Sequence, residues 1–205
     1  SLNKFDSLVF FMGTIVDTMK IAICGKMCSG KTTLANTIKI MDPRYEIMSL
    51  GQGIKDIATK YFGMTHKDRD LLIQIGTKMR EINPDVWTTH ICKQSRALSH
   101  VIVDDVRYQN EYELLRKQGF VFIQLHVSRA MQEFRIRKLY TTNAQEHLDK
   151  LTHESEQNTF EWAANHEPVL AIDNSESANH VMQRIHSFLQ KNENERVDYI
   201  LGDEI

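Results

Sequence analysis

Long apolar runs are missing from this chain of 205 residues, and cysteine is nearly so. The longest apolar stretch near the start, Leu8-Val9-Phe10-Phe11-Met12 fading toward Val16, is too short to span a bilayer. It has no basic segment ahead of it and no clear cleavage site. No membrane partner is expected. The three cysteines, Cys24, Cys28 and Cys92, show neither paired metal spacing nor a disulfide framework, which points to a reducing compartment, the cytosol. An excess of one charge is also lacking. With 25 Lys+Arg against 27 Asp+Glu, the net charge of −2 offers no global field to a polyanion, so polymeric nucleic acid is not an expected partner. Anion recognition must come from local clusters. Repeats and low-complexity blocks are absent, and 41% hydrophobic content over this length supports a single substantial core.

What is present begins at residue 19. The apolar run Met19-Lys20-Ile21-Ala22-Ile23-Cys24 leads into Gly25-Lys26-Met27-Cys28-Ser29-Gly30-Lys31-Thr32, which spells G-x-x-x-x-G-K-[ST], and Thr33 opens a helix-forming stretch. The glycines let the backbone curl so that successive N–H groups face one anion, and the helix that follows adds the partial positive charge of its N-terminus. Lys31 would reach the β- and γ-phosphates of a nucleotide, and Thr32 would hold magnesium. Because this strand is complete from Met19, residues 1–18 read as an N-terminal extension. Residues 190–205, rich in charged and amide side chains, read as a loosely held C-terminal tail.

Apolar β-branched runs recur near 20–24, 46–50, 100–105, 120–127 and 168–173, with helical patterns between them. Alternation of this kind predicts a parallel sheet covered by helices. Asn83-Pro84 reads as an N-cap with proline at the first helical position, Gly119 as a helix stop, and 175–190 as a final helix with Val181, Ile185, Phe188 and Leu189 inward. Ligands of open α/β sheets gather beyond the carboxyl ends of the strands. There lie the phosphate loop, Ser49 to Gly53, Asp104-Asp105-Val106-Arg107, Ser128-Arg129 and Asp173-Asn174-Ser175.

Asp104 and Asp105 follow the third run, where a carboxylate would order magnesium beside Thr32; one of them is alternatively a cap for the helix beginning near Gln109. Arg107 suits bidentate capture of a phosphate, or a salt bridge to Glu111. Between 68 and 82, Leu71, Leu72, Ile75, Met79 and Ile82 form a buried stripe, whereas Gln74, Thr77 and Arg80 share another face that either lines a pocket or is solvated. Trp87 stacks on a nucleobase or fills the core. From Arg129 to Glu161 glycine and proline are absent and basic residues concentrate, as in a helical lid whose arginines, Arg129 and Arg135 among them, would neutralise a transferring phosphoryl group.

Gln74-Ile75-Gly76-Thr77-x-x-Arg80, Asn83-Pro84-Asp85-x-Trp87, Asp105-Val106-Arg107-Tyr108-x-Asn110-Glu111 and His153-Glu154-Ser155-Glu156 occur in this order between Met19 and Leu189. Together they resemble the deoxynucleoside monophosphate kinases of bacteriophages and large DNA viruses, a branch of the P-loop nucleoside monophosphate kinases. The resemblance implies an α/β P-loop NTPase fold: a five-stranded parallel sheet in the order 2-3-1-4-5 flanked by helices. A kinase domain over 19–189 would carry an NMP-binding segment at about 50–99 and a lid at about 129–161. It implies ATP and Mg2+ as cofactors, a deoxynucleoside monophosphate as acceptor, and the host-cell cytoplasm for a viral protein. By the same resemblance, Lys31 and Thr32 serve ATP and magnesium, and Arg80 and Arg107 hold the acceptor phosphate. Asp105 is the matching carboxylate, Gln74, Thr77, Trp87 and Glu154 belong to the acceptor side, and the segment around Asn174 holds adenine. Family members often read Phe-Ala-x-Pro-Leu-Lys where this chain has Leu50-Gly51-Gln52-Gly53-Ile54-Lys55; Lys55 is retained at the acceptor and the proline is not. A kinase of another phosphorylated metabolite, of the phosphomevalonate type, is the first rival. A GTP switch is disfavoured because no D-x-x-G follows Asp104 or Asp105. Oligomeric state is left open, a homodimer being one option.

Overall fold

The computed structural model describes residues 19–152, 169–173 and 178–202. Five strands, β1 Met19–Gly25, β2 Glu46–Met48, β3 His100–Val106, β4 Val121–His126 and β5 Val169–Asp173, form one parallel sheet in the order β2-β3-β1-β4-β5. The expected topology is the observed one. Ile21 pairs with Ile102 on one side and Val121 on the other, so β1 lies at the centre and both its faces are covered. That is why its sequence reads as a near-continuous apolar run, without the alternation of a half-exposed strand.

Successive side chains of a strand point to opposite faces, and the two cores follow from this. Ala22, Cys24, Val101, Val103 and Phe122 join one cluster with Ala58, Ile75, Trp87, Ile91 and Tyr112. These partners come from α2 Gln52–Phe62, α3 Arg69–Ile82, α4 Val86–Ser95 and α5 Gln109–Lys117. Ile21, Ile23, Ile102 and Ile123 face the other way, onto α1 Lys31–Met41 and the last helix, α8 Ala178–Gly202. Between β4 and β5 lie α6 Arg129–Leu139, α7 Ala144–Asp149 and a short 3-10 turn, Lys150–Thr152.

Some local expectations shift. Asn83 closes α3, its N–H bonding the Met79 carbonyl, while its side chain accepts from the Asp85 N–H, so α4 starts at Val86 and not at Pro84. Ile82, assigned to the buried stripe, is 82% exposed because the stripe outruns its cover at the last residue of the helix. The last helix continues to Gly202, past the stop expected near 190, with Ile185 buried and Val181, Phe188 and Leu189 packed around it. Gly119, in the left-handed region at φ 79°, ends α5 as expected: its N–H bonds the Arg116 carbonyl, and that of Phe120 bonds the Leu115 carbonyl.

Candidate active site

The loop between β1 and α1 is built on positions where side chains do not fit. Gly25 has φ +149°, and a Cβ there would lie 2.7 Å from the Leu125 carbonyl oxygen and 2.8 Å from Ser29 Oγ. Gly30 caps α1 at φ 100°, and Cys28 takes φ 58°, a left-handed conformation unusual for a residue with a Cβ. Lys31, largely buried, curls back so that its Nζ donates to the carbonyl oxygens of Gly25 at 2.6 Å and Lys26 at 2.8 Å. The ammonium is thus held against the backbone of the anion-binding loop.

Asp104 and Asp105 leave the sheet edge in different directions. Asp104, 8% exposed, accepts from Thr32 Oγ1 at 2.9 Å. Burial, and next the Asp105 charge, push its carboxyl above the usual carboxylate range, while the Thr32 hydrogen bond and the Lys31 charge pull the other way. Asp105 accepts from Ser49 Oγ at 2.6 Å, Leu50 N at 2.7 Å and Gly51 N at 2.9 Å, pinning the loop ahead of α2. Two alternatives are decided: the carboxylate beside Thr32 is Asp104, with Asp105 turned to the loop at 49–51, and neither aspartate caps α5. That cap is Glu111, whose buried carboxylate accepts from the N–H groups of Arg107 at 2.8 Å and Tyr108 at 3.1 Å. Thr32 and Asp104 present two hard oxygen donors, and among the described residues no group of three or more His, Cys, Asp or Glu forms a metal cage. This donor set fits magnesium, which keeps waters and substrate phosphates as its other ligands.

The loop opens onto a cleft of about 1240 Å³. Gly30, Lys31, Thr32, Thr33, Met27 and Cys28 of the phosphate loop line it, together with Asp104, Asp105 and Arg107 at the end of β3 and Lys55 of α2. Lys67, Arg69 and Gln94 line it too, and sequence reasoning missed them. The signal for Arg69 was legible: a cation at the first residue of a helix opposes the macrodipole. Other residues expected at the acceptor stand elsewhere. Trp87 is 5% exposed in the core, its ring 3.0 Å from where a Cβ on Gly53 would stand. Gln74 and Thr77 are on the solvated face of α3 and do not line the cleft. Nor does Arg80: its guanidinium lies 3.5 Å from the buried Glu111 carboxylate and 4.9 Å over the Tyr108 ring. Of the two readings of Arg107, the Glu111 one is met by its backbone N–H, while the guanidinium that Glu111 pairs with is that of Arg80. Asn110 Nδ2 donates to Asp85 Oδ1 at 2.8 Å and to the Pro84 carbonyl at 3.1 Å, so the recognised sequence patterns meet as a brace behind the cleft.

Over the loop lies α6. Gln132 Nε2 donates to the Met27 carbonyl at 2.9 Å, and Arg135 to that of Cys28 at 3.0 Å. Ile136, Leu148 and Leu151 pack with Met27, Cys28 and Tyr140 beneath. Arg129 instead pairs with Glu133 at 2.6 Å on the exposed side. Tyr140 stacks on His147 with ring centroids 3.6 Å apart, and the Arg69 guanidinium lies 5.7 Å from the Tyr140 centroid, linking α3 to α6 and α7. Glu154 and Asn174 lie outside the described residues. No helix among the described residues is long and apolar enough to cross a membrane.

A family described as an AAA domain matches residues 21–146, more than half of the chain. The protein belongs to this family. The match runs from the strand ahead of the phosphate loop into α7, so it encloses the phosphate loop, Lys55, Lys67, Arg69, Gln94, Asp104, Asp105 and Arg107 of the cleft. No curated protein matches the chain. A gluconokinase from Sinorhizobium meliloti 1021 superposes with a TM-score of 0.56 at 17% identity, over 89% of this chain and 98% of that one. A sugar kinase from Janibacter sp. HTCC2649 gives 0.51 at 18%, over 84% and 95%. At these identities the likeness is one of fold, and the fold is that of the P-loop kinases.

Proposed function

We propose that this AAA-domain protein transfers the γ-phosphoryl group of ATP to a deoxynucleoside 5′-monophosphate, giving the diphosphate and ADP. The observation that carries the reading is a single cleft lined by two sets of anion-binding groups, the phosphate loop with Lys31 and, from other elements, Arg107 with Lys55. A pocket for one small ligand is roughly 300–1,000 Å³, so a cleft of about 1240 Å³ suits two. A neutral acceptor would gain nothing from the second cationic set. A phosphorylated one requires it. The Asp105 to Glu111 pattern, read as a likeness to deoxynucleoside monophosphate kinases, supports a nucleotide as that acceptor.

In the transfer, the bond from the γ-phosphorus to the β,γ-bridging oxygen breaks as an acceptor phosphate oxygen bonds to the same phosphorus. The attacking oxygen belongs to a phosphate whose second pKa is about 6, so it is largely ionised at neutral pH and needs no general base. The protein's task is to align two polyanions and offset their repulsion. Lys31 leaves its loop carbonyls for the β- and γ-phosphates, Arg107 orients the acceptor, and Arg135, already on the loop, faces the γ-phosphate. Thr32 and Asp104 would hold magnesium, which would supply further neutralisation of the phosphate charge.

The test is a coupled ADP-release assay across the common deoxy- and ribonucleoside monophosphates. Arg107→Ala lowers turnover by about three orders of magnitude, the scale of a lost arginine finger, and leaves binding of a non-hydrolysable ATP analogue unchanged. ADP release with no monophosphate at all, or near-normal turnover in the variant, overturns the reading.

A further inference from the structure

Four cations from three parts of the chain face the same cleft: Lys55 of α2, Lys67 and Arg69 at the entry to α3, and Arg107 after β3. Among the described residues no carboxylate lies within ion-pair distance of Lys55 or Lys67. Their mutual repulsion registers on Lys67, whose ammonium is held below its ordinary range by partial burial and then by Arg69, Lys55 and Arg107. Asp68, between Lys67 and Arg69 in the chain, caps α3 by accepting from Leu71 N at 3.0 Å, and Asp105, which also lines the cleft, is engaged by Ser49, Leu50 and Gly51. Crowding like charges costs free energy in the folded protein, and an anion in the cleft offsets that cost.

We propose that Lys67 and Arg69, with Lys55 and Arg107, form the clamp that holds the phosphate monoester of the acceptor. Arg80, the arginine that sequence resemblance puts there, is engaged by Glu111 and Tyr108 behind the cleft wall. The clamp rests on the kinase reading only in that this wall faces the acceptor; it requires a phosphate monoester and not a nucleoside. Arg69 also lies against Tyr140, so the bound phosphate sits at the seam between acceptor wall and lid. Both residues are at least partly solvent-exposed, and replacing them leaves the core intact.

The experiment uses the full chain with a non-hydrolysable ATP analogue present. Calorimetry measures binding of deoxynucleoside monophosphates and of ribose 5-phosphate, a monoester without a base, and steady-state assays give acceptor and ATP KM. Lys67→Met and Arg69→Gln each weaken both kinds of monoester about tenfold, the scale of one charge-assisted hydrogen bond, with ATP KM unchanged and Arg69→Lys restoring most of the loss. Arg80→Gln lowers thermal stability and leaves monoester affinity near that of the wild type. If ribose 5-phosphate binding falls in the variants while no nucleotide is turned over, the clamp stands and the nucleotide kinase reading falls. If nucleotides are turned over with acceptor KM unchanged in the double variant, the clamp falls and the kinase reading stands. Wild-type protein that binds no monoester overturns the clamp as well.

Discussion

Asp104 and Asp105 follow one another at the end of β3, and the alternation of the strand turns one toward Thr32 and the other toward the loop at 49–51. From the sequence both were candidates for magnesium; only the direction of each side chain separates them, and a strand's register is set by pairing across the sheet. The price of the arrangement falls on Asp104, buried beside a second carboxylate. A carboxyl with a raised pKa keeps its proton longer in the folded state than in the unfolded chain. Stability is therefore lost as pH rises from the ordinary value of 3.8 through the raised one. Asparagine carries no such proton. Asp104→Asn accordingly melts above the wild type at neutral pH, with a margin that shrinks as pH falls toward 3.8, while magnesium-dependent turnover drops by about two orders of magnitude. Melting curves across pH together with a magnesium titration check both halves. An unchanged melting temperature would show that the fold bears no strain there.

Between single residues and the whole molecule stands the brace joining α3, the turn before α4 and the start of α5. Glu111 takes two backbone N–H groups and the Arg80 guanidinium, and Asn110 reaches back to Asp85. The motifs that looked like a row of ligands are in good part the frame that aims Arg107 into the cleft. Glu111→Ala leaves two buried N–H groups and one guanidinium without their acceptor, so it destabilises the fold by about 2–4 kcal/mol, more than Arg80→Ala, which leaves the backbone bonds intact. Urea unfolding of the two variants reads the order directly, and equal losses would mean that the ion pair and not the cap carries the brace. The same elements show what a sequence can and cannot disclose. The parallel sheet and the phosphate loop were legible because buried parallel strands and a G-x-x-x-x-G-K-T loop each have few physical alternatives; the order of the strands came with the family resemblance. Trp87, Gln74, Thr77 and Arg80 were not, since whether a helix face meets a cleft, a core or water depends on the neighbouring elements. Lys67 and Arg69 escaped notice because they carry no motif, only an unfavourable charge at a helix start.

Across the whole molecule, α6 and α7 are already seated on the phosphate loop through Gln132, Arg135 and the Ile136, Leu148 and Leu151 cluster, and Arg69 of α3 reaches Tyr140. Donor and acceptor would then fill two ends of one cleft and not compete for a single pocket. A ligand at a hundred times its Kd stabilises the state it binds by about 2.7 kcal/mol, so two ligands at separate ends add to about 5 kcal/mol. For a chain of this length each kcal/mol raises Tm by roughly 2–4 °C, which gives roughly 5–11 °C for either ligand alone and about twice that for both. Thermal melts with a non-hydrolysable ATP analogue, a deoxynucleoside monophosphate and the pair distinguish the cases. Additive shifts mean two sites, and a shift larger than the sum means that each ligand helps close the seam at Arg69 and Tyr140 on the other. A pair that stabilises no more than the better single ligand means mutual exclusion, and a cleft of that kind cannot carry out transfer between two bound nucleotides.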